Sequence, residues 1–184
     1  ILSRTITALF GVLPSRASTD YAPANYSEAY PGHWYTTGNG HKLCVIHDME
    51  GYYLSTISYF QQQYQGTGEA SAHYLVNSDY NSSDGAPAGG MTQMVREAYY
   101  AWHAKCWNRW SFGTEHEGFA SNPAWFTEAM YQASALLQKH LCDTWGIPKD
   151  RNHIVGHNEW QNATWKSWMA ANLPSIDTTC NTHT

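Results

Sequence analysis

Basic residues are scarce in this 184-residue chain: Lys and Arg total 10 against 15 Asp and Glu, for a formal net charge of -5 and a pI near 6.0. Phosphate backbones are bound by clustered Lys and Arg, so ten scattered ones exclude a nucleic-acid partner. No apolar run approaches the roughly 20 residues that cross a bilayer. No Lys/Arg-rich amphipathic stretch offers a surface anchor either, so no membrane partner is expected. Cysteine is sparse, at Cys44, Cys106, Cys142 and Cys180, and no two form a Cys-x-x-Cys pair. That spacing argues against a zinc knuckle or a dithiol redox motif. It suits one or two disulfides in an exported protein, with Cys142–Cys180 the expected pair. Internal repeats and low-complexity segments are absent, and the length suits one domain with a single core.

Aromatic residues are abundant, at 15% with 9 Trp and 13 Tyr, while charged residues are only 14%. Such rings stack on the apolar faces of sugars while Tyr hydroxyls and Trp N–H groups hydrogen-bond, although most of them serve as core or sheet filler. Residues 1–40 read as an N-terminal arm. Within it, Leu2–Ala17 carries an Arg, a short apolar stretch and a Ser-x-Ala-Ser ending, which resembles a clipped export signal. An amphipathic helix with Leu9, Phe10 and Leu13 on one face is an equal alternative. Tyr21–Gly40, rich in Pro, Gly, Tyr, Ser and Asn, shows no steady periodicity and reads as irregular.

The domain proper spans 41–184 and alternates strands with helices. Lys42–His47 is a short apolar run suited to a buried strand. Ser55 and Thr56 then offer N-caps for a helix burying Ile57, Phe60 and Tyr64. Further strands are expected at Ala72–Val76, Gln93–Glu97 and Thr114–Glu117. A helix opens at Ser121 with Pro123 in its first turn, and Trp125, Ala129, Ala133, Leu137 and Leu141 recur at helical spacing until Gly146-Ile147-Pro148 stops it. Ile154 and Val155 form one more short strand, and Trp160–Asn172 a last helix with Trp165 and Trp168 as candidate buried residues. The pattern predicts an α/β fold, a central mixed β-sheet flanked by helices.

Ten histidines are many for this length. His47 ends the first strand and precedes the acidic loop Asp48-Met49-Glu50-Gly51; His157 follows the last strand in Ile-Val-Gly-His. Two imidazoles at strand ends far apart in sequence can converge on one metal at a sheet edge. The competing reading of each is a satisfied polar residue.

Five blocks stand in a telling order: His47 in Val-Ile-His-Asp-Met-Glu-Gly, Ser71-Ala72-His73-Tyr74-Leu75-Val76, Ala101-Trp102-His103-Ala104, Gly113-Thr114-Glu115-His116-Glu117-Gly118 and Ile154-Val155-Gly156-His157. Together they resemble the zinc amidases of the type-2 N-acetylmuramoyl-L-alanine amidase family, which includes phage lysozyme-type amidases and peptidoglycan recognition proteins. The resemblance runs from about Leu43 to Thr184. It implies a secreted or phage-derived, monomeric zinc hydrolase that cuts the amide between N-acetylmuramic acid and L-alanine in peptidoglycan. His47 and His157 would be zinc ligands and Glu115 the proton-transferring acid and base. Other members use a Tyr before the His of the Ser-x-His block for that role; Ala72 stands there, which strengthens Glu115. Glu117 is expected to brace its loop, Trp102 and His103 to line the substrate groove, and His73 to be structural, with no role for His116.

In the resemblance a third ligand, Asp or Cys, falls at the residue that would follow Thr184, so the sequence is expected to be part of a longer protein. Glu159 and His183 are the internal candidates for that ligand. His183 also stands where relatives place a residue that polarises the scissile carbonyl. The rival reading is a peptidoglycan-binding protein that keeps the groove without catalysis.

Overall fold

The computed structural model describes residues 18–37, 40–63, 68–80 and 86–179. Its centre is a six-stranded sheet in the order β1-β5-β4-β7-β3-β8. The strands are β1 (Asn25–Tyr26), β3 (Leu43–Asp48), β4 (Tyr74–Val76), β5 (Met91–Gln93), β7 (Ser111–His116) and β8 (Ile154–Gly156). Only the β4–β5 pair runs antiparallel. The sheet is therefore mixed, as the alternating pattern predicted. A second, two-stranded sheet pairs β2 (Trp34–Tyr35) with β6 (Tyr100–Ala101).

Side chains alternate across the strands and sort into two cores. On one face Cys44, Tyr74 and Phe112 meet Met130, Leu137 and Leu141 of α2 (Glu128–Trp145). On the other, Leu43, Val45 and Val155 meet Trp107 and Trp165 and Met169 of α3 (Ala163–Asn172). On that same side Leu75 meets Tyr53 and Phe60 of α1 (Tyr53–Phe60). His47, two residues beyond Val45, therefore faces the α3 side at the C-terminal end of the sheet.

Several local expectations shift. Helix α1 begins two residues before Ser55, after Tyr52, and has no side-chain cap; the Ser55 and Thr56 hydroxyls bond back to the Tyr52 carbonyl instead. Tyr64 lies outside the described residues. The strand expected at Gln93–Glu97 ends at Gln93, because Glu97 turns into the core to accept hydrogen bonds from Tyr74 and Trp145 and to meet His140. The helix expected from Ser121 is split. Pro123–Trp125 forms a 3-10 turn capped by Asn122, and Thr127 opens a fresh cap for α2, which Gly146 ends in the left-handed conformation at φ 68°.

The expected Cys142–Cys180 disulfide is not formed. Cys142 is a free, buried thiol on α2 and Cys44 is likewise free, while Cys106 is disulfide-bonded. Hydrogen bonding to Cys142 and burial hold the Cys44 thiol well above its usual pKa. The two thiols fill the core beneath α2.

Candidate active site

Parallel pairing of β3 with β7 sets His47 directly beside Glu115, and β8 delivers His157 as the first residue of a 3-10 helix, His157–Gln161. The His47 and His157 ring centroids are 4.4 Å apart. The Nδ1 atom of His47 lies 3.8 Å from Glu115 Oε1, with only 6% and 13% of the two side chains exposed. Burial raises the Glu115 pKa to about 8, and the nearby Asp48 charge adds to it. The two strand-end histidines thus converge, as their positions suggested, and Glu115 lies beside His47.

Two adjoining cavities open on this cluster. One of about 560 Å³ is lined by Asp48, Glu50, Gly51, Thr56 and Glu115. The other, about 440 Å³, is lined by His47, Glu50, Ala120, His157 and Asn158. Glu50 sits between them at φ 45°, a left-handed conformation uncommon outside glycine, and its carboxylate accepts from the Ala120 amide. Gly51 pairs with Gly118, tying together the loops after β3 and β7. Gly118 has φ 139° and a Cβ there would meet Trp125 at 2.5 Å, so no other residue fits.

Glu117 braces this region as expected. Its buried carboxylate accepts from the Tyr53 amide at 2.9 Å and from the Ser78 amide and hydroxyl at 3.0 and 2.8 Å. His116 points to the opposite face and bonds the His47 carbonyl and the Ser134 hydroxyl. His73 is fully buried, receives the Gly113 amide on Nδ1 and donates from Nε2 to the Tyr99 carbonyl, so its role is structural.

The two residues expected to line the groove border one pocket together and differ in what their rings touch. Trp102 stacks on His33 and packs against Tyr35, beside a shallow 270 Å³ pocket with Glu69 and Lys105. His103 instead turns its ring inward: Nδ1 is 2.9 Å from His47 Nε2, and Nε2 faces Ser111. Burial pushes its pKa down to about 3, so the ring is neutral. Gly113 makes the room, since a Cβ there would come within 2.4 Å of His103 Cγ. The clue in the sequence is that glycine inside a strand, which marks a close approach.

Two imidazoles with a carboxylate nearby are donor chemistry that suits zinc. Among the described residues no cluster of three or more His, Cys, Asp or Glu assembles a complete metal site. Glu159, an internal candidate, faces away, with its carboxylate accepting from Asn162 and 3.5 Å from Arg151. His183 lies outside the described residues.

Comparison with known proteins adds the chemistry's context. Residues 37–168 match the family model described as N-acetylmuramoyl-L-alanine amidase. The chain is 37% identical over 130 residues to N-acetylmuramoyl-L-alanine amidase A of Achromobacter lyticus, covering 71% of this chain and 67% of that protein. Its fold is similar to the N-acetylmuramoyl-L-alanine amidase LysC of Clostridium intestinale URNW, with a TM-score of 0.52 at 18% identity over 74% of this chain and 80% of that one. It is also similar to the Staphylococcus aureus hydrolase AmiA, solved in complex with its ligand, with a TM-score of 0.54 at 16% identity over 84% and 69%.

Proposed function

Since the chain belongs to the N-acetylmuramoyl-L-alanine amidase family and is an amidase acting on peptidoglycan, we propose that it does so with one zinc, held by His47 and His157, and with Glu115 moving the proton. The observation that carries this reading is the convergence of the two imidazoles, 4.4 Å apart, with Glu115 3.8 Å from His47 Nδ1.

Zinc, when bound, would supply Lewis acidity that makes water acidic enough to attack near neutral pH. In its carboxylate form Glu115 takes a proton from the attacking water as its oxygen adds to the lactyl carbonyl carbon of N-acetylmuramic acid. As the C–N bond breaks, Glu115 returns the proton to the departing nitrogen, freeing the L-alanine amine. The glycan side is left with a carboxylate. His183 is assigned the polarisation of the scissile carbonyl. The cavities on either side of Glu50 supply room for glycan and stem peptide, and Trp102, in its own 270 Å³ pocket, offers a ring for a sugar face.

We place the protein outside the cytoplasm, as a monomer. The Cys106 disulfide supports an oxidising compartment, and no described helix is long and apolar enough to cross a membrane. Binding without catalysis is disfavoured, because Glu115 is unneeded by a binding protein yet is set beside His47.

Digestion of purified muropeptides followed by mass spectrometry tests the proposal. It predicts stem peptides with a free L-alanine amine, their release stopped by a chelator and restored by zinc. Release undiminished in chelator would overturn the zinc assignment, and cleavage at a sugar–sugar bond would overturn the reaction.

A further inference from the structure

The contacts of His103 define a proton arrangement that reaches His47. The Ser111 carbonyl can only accept a hydrogen bond, and it lies 3.3 Å from His103 Nε2. The Ser111 hydroxyl donates its single proton to the Trp107 carbonyl at 2.8 Å. It therefore presents lone pairs to the same His103 Nε2, 3.2 Å away. Both contacts require a hydrogen on Nε2. A neutral imidazole carries one N–H, so His103 Nδ1 is a bare acceptor. Its partner at 2.9 Å, His47 Nε2, must then be the donor. A neutral His47 then keeps its lone pair on Nδ1, the atom that faces Glu115.

We propose that His103 is a positioning residue for His47: the chain Ser111–His103–His47 fixes the His47 tautomer and turns its Nδ1 lone pair toward Glu115. The orientation is anchored from both sides. Asn108 Oδ1 accepts from the backbone amides of His103 and Ala104 at 3.0 and 2.6 Å, which holds the loop. The bare Cα of Gly113 lets the ring lie flat against β7. With both ring nitrogens engaged, His103 acts through His47. Ligand imidazoles oriented through their second nitrogen commonly lose about 10–100-fold in metal affinity when that partner is removed.

This inference deepens the zinc reading and rests on it, but the tautomer is measurable without metal. Long-range nitrogen–proton NMR on the metal-free full-length protein is expected to show His47 protonated on Nε2 and bare on Nδ1, and His103 likewise. His103→Ala should let His47 exchange between tautomers and weaken zinc binding by about 10–100-fold in a chelator competition. His103→Asn, which keeps an acceptor oxygen near the Nδ1 position, should restore most of that affinity. Metal-free His47 protonated on Nδ1 would overturn the proposal, even if His103→Ala fails to fold. So would a folded His103→Ala protein with unchanged His47 tautomer and zinc affinity. A wild-type protein that binds no zinc overturns the zinc reading instead, and the metal-free tautomer then decides the role of His103.

Discussion

Glu115 and His47 face the same side of the sheet because parallel strands in register keep neighbouring residues on one face. A side chain so placed is replaceable without disturbing the core. Glu115→Ala is expected to leave folding and zinc content unchanged while lowering turnover on muropeptides by about 10²-fold or more; a steady-state rate within a few-fold of wild type would remove it from the mechanism. Gly113 is the opposite case. Gly113→Ala drives a methyl into His103, 2.4 Å from Cγ, and overpacking of this kind costs roughly 1–3 kcal/mol. Urea unfolding should register that loss, and an unchanged midpoint would mean the ring has somewhere else to go. At this scale the sequence was informative about placement, since His47 and His157, read at strand ends, do meet, and Glu115 lies beside His47. It did not give the direction of the His103 ring, which is set by an absent side chain ten residues away.

Helix α2 shows how one capping residue outweighs a continuous hydrophobic pattern. Apolar spacing ran unbroken from Trp125, yet Thr127 caps a new start by accepting from the Met130 amide, and its hydroxyl also donates to the Ser78 carbonyl at 2.7 Å. Trp125 is thereby released from the helix to pack on Gly118. Thr127→Ala loses the cap and the tether together, for about 1–2 kcal/mol, and a thermal melt that does not move would show that the cap carries no weight. The long elements β3, β7, α2 and α3 were legible from periodicity and stop signals. The two-residue strands β1 and β2 were not, because two residues hold no alternation; tertiary pairing with Gln93 and Ala101 creates them from an arm that reads as irregular. The cysteines illustrate the same limit, since spacing alone cannot reveal that Cys142 packs inward against Cys44.

Across the molecule, buried neutral histidines couple stability to pH. Burial lowers the His41 pKa from 6.5 to about 4, and it holds His73 well below its usual value. The unfolded chain thus takes up protons first as pH falls, and their contribution, complete above about 6.5, is lost progressively toward pH 4. Urea midpoints should therefore drop between pH 7 and pH 4.5, and a flat profile would mean these rings are not held neutral. The assignment of the fold was legible in the order of five motifs, and the family comparison agrees with it. The central claim is a metal centre held by His47 and His157. Elemental analysis of zinc in the full-length protein, beside His47→Ala and His157→Ala, tests it most directly. The account predicts about one zinc per chain in the wild type and a marked loss in each folded variant. Stoichiometric zinc retained in both variants, or none in a wild-type protein that still cleaves muropeptides, would contradict it.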